Sequence, residues 1–475
     1  MAVMAKNLPK TMDVEPAEKP LRIAIVYGRI PFPMVRGDQK TIAHLIAYLG
    51  ARGHQVDLYT LDIHGEMQPA QREFLDAMCR QVSIYRHGKP QIARGLLKAR
   101  LKGWPLQVGF FHNDELTRDF QAKLDAGEYD IAYVYYMRSA PVVGERFAAN
   151  QTTTLGGTTT AAFLAMQLSQ SLNCERILEG CRGLHRKLLY TFETKWVKRF
   201  ESTIWKRYTR TVLIGPKDVE AVKQACGDVG QPPPDNWVYG AHGTDVFAFR
   251  AATPDEVVPR RIVFAGNMAY RPNVDGICWF VANCYDRIKA AQPDVQLYVV
   301  GFKPDDAVTA LGAADESITV TGAVDDVGEY MRSAEVCINP VQAAAGMQNK
   351  LIEYLACGRP VVCSLVANEG IRAPDDCVIA AADPDAFADG VINCLQHPAE
   401  ANERAARGRR YVEQKWTWES HWATLEQNFR DALAGAPPNQ SDTTQNATSQ
   451  DATPQNATSD ATEPTPATAQ RERSE

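Results

Sequence analysis

Short β-branched runs that end in glycine alternate along this chain with stretches whose apolar residues recur at helical spacing. Arg22-Ile-Ala-Ile-Val26, bounded by Tyr27-Gly28, is the first such run. An unbroken apolar run closed by turn residues predicts a strand buried on both faces. A loop with Pro31, Pro33 and Gly37 follows, then a helix predicted over 39–52. Gln55-Val-Asp-Leu-Tyr59 and Asp130-Ile-Ala-Tyr-Val-Tyr135 read as further strands. The pattern restarts at Arg261-Ile-Val-Phe-Ala265, again ending in Gly266. A helix over 274–290 comes next, then strands at 295–300, 318–320 and 336–338. Alternating strands and helices predict an α/β fold with open parallel sheets. The restart predicts two Rossmann-like domains, over 21–240 and 258–400, with a linker near Pro232–Pro259. A last helix over 401–433 is expected to return to the first domain. The two ends, 1–20 and 435–475, lack core-forming patterns and are expected to be disordered; Gln445-Asn-Ala-Thr-Ser449 recurs at 455–459.

The densest segment is Ala345-Gly-Met-Gln-Asn-Lys-Leu-Ile-Glu-Tyr-Leu-Ala-Cys-Gly-Arg-Pro-Val-Val362. It reads as a glycine turn, a helix from Met347 to Gly358, a second turn and a buried strand. Leu351, Ile352, Leu355 and Ala356 supply the apolar face. A glycine turn feeding a helix start favours anions, because free N–H groups and the helix dipole point at the same place. Lys350 can meet a phosphate and Glu353 a hydroxyl, which suits a nucleoside diphosphate.

Bulk properties narrow the choices. Net charge of −6 and 23% charged residues argue against a nucleic-acid protein held by bulk charge. Eleven cysteines occur without metal-like spacing, which fits buried thiols in a reducing cytosol. No G-x-G-x-x-G follows either first strand, so a dinucleotide site has little support. Residues 1–20 carry no apolar signal core, and no run of eighteen apolar residues occurs, so a cytoplasmic protein is expected.

The order of motifs resembles the GT-B glycosyltransferases of the large retaining family 4, group 1, and most closely the sugar transferases of bacterial exopolysaccharide clusters. The resemblance rests on Phe264-Ala-Gly-Asn-Met-Ala-Tyr-Arg-Pro-Asn273, Thr321-Gly-Ala-Val-Asp-Asp326, Gly346-Met-Gln-Asn-Lys-Leu-Ile-Glu353 and Gly358-Arg-Pro-Val-Val362. Gly37-Asp-Gln-Lys40, Met166-Gln-Leu-Ser-Gln-Ser-Leu-Asn173 and Tyr239-Gly-Ala-His-Gly-Thr-Asp245 add to it. It implies two parallel sheets facing a central cleft and a hexosyltransferase that uses a UDP- or GDP-sugar. It implies a lipid-linked or growing glycan acceptor and no metal cofactor. On this resemblance Glu353 holds the donor ribose. The amides of Gly346 and Met347, with Asn349 beside them, hold the diphosphate. Val324 borders the base, and Gly266 and Asn267 line the donor site. Gly37 lets the first-domain loop approach. The chain departs from the family at Ala345, where a first glutamate is usual, and at Asn267, where an arginine is usual. Lys350 and Arg271 are the candidates left to neutralise the leaving diphosphate.

On the acceptor side the candidates are Gly37, Asp38, Lys40 and Arg138. Asp38 either caps the helix or contacts acceptor. Asp383-Pro-Asp385 reads as a helix cap rather than a metal site. Arg94, Lys98 and Lys102, spaced by four with Leu97, Leu101 and Trp104 nearby, read either as a patch for an anionic membrane or as an ordinary helix packed by its leucines. The first reading adds peripheral contact with the cytoplasmic face of the inner membrane. Two rival functions share the same cleft: a nucleotide-sugar 2-epimerase, and a nucleotide-sugar-binding protein without catalysis.

Overall fold

The computed structural model describes residues 8–9, 12–34, 36–63, 67–179, 184–240, 243–244, 246, 249–343 and 347–440. The first sheet holds β1 (Arg22–Tyr27), β2 (Gln55–Asp62), β3 (Gln81–Arg86), β4 (Ile131–Tyr135), β5 (Thr153–Leu155), β6 (Thr158–Gln167), β7 (Arg210–Leu213) and β8 (Trp237–Tyr239). Its order is β3-β2-β1-β4-β6-β7-β8, all parallel, with β5 antiparallel to β6. The second sheet holds β9 (Arg261–Ala265), β10 (Gln296–Val300), β11 (Ile318–Gly322), β12 (Val336–Asn339), β13 (Val361–Ser364) and β14 (Ile379–Ala381). Its order is β11-β10-β9-β12-β13-β14, again all parallel.

Both orders reverse direction beside the first strand of the lobe. Ligands of open parallel sheets bind at such reversals, outside the carboxyl ends of the strands. The two reversals lie between β1 and β4 and between β9 and β12. Alternate residues of each strand feed separate cores on the two sheet faces: Ile262 and Ile338 on one side of the second sheet, Val263 and Cys337 on the other.

The chain crosses between lobes twice. Thr244 N–H donates to Trp416 O at 2.6 Å, and Thr244 bridges Thr417. A Cβ on Gly243 would sit 2.7 Å from the Trp418 backbone, so glycine lets the two crossings touch. The helix expected over 401–433 is in fact two, Pro398–Lys415 and Trp418–Leu433. The first packs Tyr411, Val412 and Trp416 on the second lobe. Only the second returns to the first lobe, where Trp418, Trp422, Leu425 and Phe429 join the core. Thr417 ends the continuity by capping the second helix through Ser420 N–H.

The expectation of disorder over 1–20 is corrected for residues 12–20. Met12 and Ala17 are buried, and Ala17 N–H donates to Arg52 O at 2.8 Å. Apolar side chains this close to an open core edge gain more by burial than by remaining free. Residues 435–440 likewise lie along the first lobe, where Gln440 donates to Asp235 O. The rest of the expected tail, 441–475, and residues 1–7 lie outside the described residues.

Glu426 ties the returning helix down. Its carboxylate accepts from Arg52 at 2.9 and 3.2 Å, from Arg430 at 2.6 Å and from Tyr48 at 3.1 Å. Burial alone would raise its pKa, but the Arg52 and Arg430 guanidiniums overcome this and hold it at about 2. A carboxyl depressed below its free value of 4.5 contributes stability that is present above that value and lost as pH falls towards 2. Glu426→Gln is expected to cost about 3 kcal/mol in urea unfolding at pH 7. It should also flatten the acid limb of stability below pH 4.5; an unchanged acid limb would show that another group governs it.

Candidate functional site

In the second lobe β9 runs into Gly266 at the sheet reversal. A Cβ there would lie 2.8 Å from Asn273 Nδ2 and 3.3 Å from Lys350 Nζ. Gly301 closes β10 beside it, and any Cβ on Gly301 would meet Gly266 O at 1.7 Å. These two glycines let three chain segments converge where side chains would collide. The third segment is the start of helix Asn349–Ala356. Leu351, Ile352, Tyr354, Leu355 and Ala356 bury one face, as the sequence predicts, and Gly358 ends the turn at φ +63°. Tyr354 fixes the helix to β9, accepting from Ala265 N–H at 2.7 Å. No side chain caps the helix start at Gln348.

That geometry delivers Lys350 into the sheet edge. Its ammonium donates to Asn273 Oδ1 at 2.5 Å and stands 4.5 Å from the centre of the Phe264 ring. Asn273 in turn donates to Asn267 O at 2.9 Å. A neutral amide and a ring are weak partners for a charge taken out of water. Burial lowers the Lys350 pKa to about 7, against a small opposing pull from Glu353. Glu353, one turn on, is half-buried; burial raises its pKa, opposed by Lys40 and then Lys350. Lys40 belongs to the first turn of helix Gly37–Ala51 in the first lobe. Its electrostatic action on Glu353 brings a first-lobe cation near the second lobe's sheet edge. A second link is the 2.5 Å ion pair between Lys217 and Glu369.

Asn339 completes the edge. It ends β12, is fully buried, and neither its Oδ1 nor its Nδ2 has a hydrogen-bond partner. By strand alternation it shares the sheet face of Cys337, against helix Asn349–Ala356. The signal for it in sequence was one polar residue closing an apolar run. Asn273 and Phe264, too, stand in the motif strings, but nothing in spacing shows them meeting Lys350.

The structure brings Gly266, Asn267, Lys350 and Glu353 together, with Met347 and Asn349 at the helix start. Val324 is partly buried beyond β11, after Gly322. Gly346 and Ala345 lie outside the described residues. Arg271 does not join the cluster: it opens helix Arg271–Phe280, 73% exposed, and pairs with Asp275 at 2.7 Å. A partner one turn along its own helix draws it into solvent. In the first lobe, Gly37 opens its helix in free space. Asp38 does not cap that helix, since Arg36 occupies the cap position. Its carboxylate faces Arg36 at 3.4 Å and Arg29 at 3.7 Å. Arg138 lies near the same edge, over Phe111 and Tyr136. His44 stacks on Trp418. Asp383 does cap its helix, accepting from Ala386 N–H. The Met166–Asn173 motif ends β6; Glu201, fully buried, accepts from Gln170 and Ser171 N–H there, so that helix start is already occupied by a carboxyl group. A cavity of about 730 Å³ lies at the opposite edge of the second sheet, by Glu335, Arg359 and Pro360.

If Lys350 is kept for a ligand rather than for folding, Lys350→Met should unfold in urea at the same midpoint or a higher one at pH 6. An apolar replacement of similar size needs no solvation. A loss of stability above about 1 kcal/mol, the worth of an ordinary hydrogen bond, would mark the lysine as structural.

Comparison with known proteins agrees with this geometry. Residues 259–397 match the family model described as "Glycosyl transferases group 1". A GDP-mannose-dependent monoacylated alpha-(1-6)-phosphatidylinositol monomannoside mannosyltransferase of Corynebacterium glutamicum is 25% identical over 200 residues, 37% of this chain and 51% of that one. The match thus spans about half of that relative's length. An uncharacterized 44.6 kDa protein in the cps region of Klebsiella pneumoniae is 20% identical over 83% of this chain and 96% of its own. Among solved structures, Anabaena HepE in complex with UDP and glucose superimposes with a TM-score of 0.53 at 12% identity, covering 86% of this chain and 100% of that one. The second lobe thus matches the group 1 glycosyl transferase model, and the chain has the GT-B fold.

Proposed function

We propose that this chain transfers a hexose from a UDP- or GDP-sugar to a lipid-linked or growing glycan, with retention, in the synthesis of a cell-surface polysaccharide. One observation carries the reading: the under-solvated Lys350 ammonium at an uncapped helix start, at the reversal point of the second sheet. The glucose and UDP in HepE and the cps-region relative support a nucleotide-sugar donor and a polysaccharide product.

In this reading the diphosphate lies across the start of helix Asn349–Ala356, with Met347 and Asn349 flanking it and Glu353 holding the ribose. As the sugar–oxygen bond breaks, negative charge grows on the leaving diphosphate. Lys350 and the helix amides meet it, and one such preorganised donor is worth about 3 kcal/mol of barrier. Asp38 is engaged by Arg29 and Arg36, which suits a retaining front-face path better than a general-base role. The Lys350 ammonium and the helix amides at the leaving group take the place of a metal, so chelators should leave turnover unchanged.

Helices Lys89–Lys102 and Leu184–Ile204 support contact with a membrane. Gly95 and Ala99 bury the inner face of the first against Gly109, leaving Leu97 and Leu101 63% and 77% exposed. The leucines therefore do not pack the helix, contrary to the plainer of the two sequence readings. Leu188, Leu189 and Phe192 are exposed on the second helix, and Lys102, Arg199, Lys206 and Arg207 line a cavity between the two segments. Among the described residues no helix is long and apolar enough to cross a membrane.

Three measurements test these claims. Incubation with UDP- and GDP-sugars and a membrane extract should yield a glycosylated lipid; conversion of the donor without acceptor, or binding without turnover, would contradict transfer. UDP affinity, by calorimetry, should fall as pH rises from 7 to 9 with proton uptake on binding, because Lys350 is charged below about 7 and an anion favours its charged form; Lys350→Met should abolish that slope. Leu97→Glu with Leu101→Glu should lower sedimentation with anionic vesicles about tenfold; equal sedimentation would remove this surface from the account.

A further inference from the structure

The reversal point of the first sheet carries its own concentration of charge, made by residues that no motif unites. β1 runs into Gly28 and Arg29. β4 runs into Tyr136, whose φ of +69° is unusual for a residue with a side chain, and then Arg138. Phe111, at the end of helix Leu106–Phe111, fits between them. A Cβ on Gly28 would stand 2.9 Å from its ring, so glycine is what seats the ring there. The Arg29 and Arg138 guanidinium carbons each lie 5.1 Å from the Phe111 centroid, and Arg138 also lies 4.8 Å from that of Tyr136. Arg36 reaches the same place from the start of helix Gly37–Ala51.

The described residues provide one carboxylate for these three cations. Asp38 faces Arg29 at 3.7 Å, beyond hydrogen-bond length, and Arg36 at 3.4 Å. Two positive charges therefore stand uncompensated. Arg29 Nη1 and Arg138 Nε are both buried without a hydrogen-bond partner. Burial, and then the charges of Arg36 and Arg138, push the Arg29 pKa down, while Asp38 pulls it up. Guanidiniums held this close by stacking, with donors unspent, cost free energy until an anion joins them. The stacking fixes their planes, and planar forks match the oxygens of a phosphate in pairs.

We propose that Arg29, Arg36 and Arg138 form a phosphate-binding site at the reversal point of the first lobe, taking a mono- or diphosphate ester. Arg29 and Arg138, both stacked on Phe111, hold it. Arg36, whose side chain is 54% exposed, closes over it from the helix start. The site stands on its own geometry; what brings the phosphate rests on the glycosyl-transfer reading. It is either the phosphate of an acceptor lying in the first lobe or the donor's diphosphate reaching across from Lys350.

Calorimetric titration of the full chain with inorganic pyrophosphate tests this, in a Lys350→Met background so that the second lobe does not mask the signal. Arg138→Gln and Arg29→Gln should each weaken pyrophosphate at least tenfold. Arg36→Gln, at an exposed position that folding does not need, should weaken it several-fold, and circular dichroism reports whether each variant is folded. UDP titrations of the same substitutions in the otherwise native chain separate the two sources. UDP affinity unchanged assigns the site to an acceptor phosphate; UDP affinity lowered in step assigns it to the donor diphosphate. Failure of pyrophosphate to bind, or equal affinities for both probes in folded Arg36→Gln and Arg138→Gln, would overturn the site while leaving UDP binding through Lys350 as a separate question.

Discussion

A lysine ammonium taken out of water must be compensated, and among the described residues the close partners of Lys350 are an amide oxygen and a phenyl face, with a weaker pull from Glu353. Much of the second lobe's local architecture converges on that ammonium. Gly266 and Gly301 remove the Cβ atoms that would block convergence. Tyr354 fastens the helix to β9, which sets the Lys350 backbone at the sheet edge. Asn339 sits fully buried at the end of the adjacent strand with its polar atoms unpaired. Buried polar side-chain atoms are mostly paired in folded proteins, so these two unpaired atoms mark the same sheet edge.

The first lobe repeats the constraint with different chemistry. Its reversal point gathers guanidiniums around an aromatic ring instead of one lysine at a helix start. The electrostatic action of Lys40 on Glu353 shows the two edges within reach of each other. The double crossing at Thr244 and Thr417, made possible by Gly243, makes the covalent joint between lobes two passes of backbone. The Glu426 network then ties the returning helix to Arg52 and Tyr48, so the first lobe depends on residues more than 370 positions away in the chain.

What could be read from sequence followed from local rules. Strands bounded by glycine, the amphipathic face of 349–356 and the cap at Asp383 all obey short-range patterns, and the structure shows each of them. The strands missed, β3 and β5 to β8 with β14, are short, partly exposed, or rich in threonine and alanine, and so carry weak periodic signals. Arg271 shows the limit for a site residue. Proximity in sequence to Gly266 suggested a role, but an aspartate one helical turn on takes the side chain. Asn273, two residues later, is the one that faces Lys350. Arg29 and Arg36 escaped notice because their meeting with Arg138 depends on β1 lying beside β4, across more than a hundred residues. The same holds for Met12 and Ala17, whose burial no local pattern indicates.

The most direct test of the account is the crystal structure of the full chain with UDP bound. The account predicts the diphosphate at the start of helix Asn349–Ala356, with a phosphate oxygen within about 4 Å of Lys350 Nζ and the ribose against Glu353. UDP bound in the cavity beside Glu335 and Arg359, at the opposite edge of the sheet, or bound with Lys350 still directed at Asn273 and away from phosphate, would contradict it.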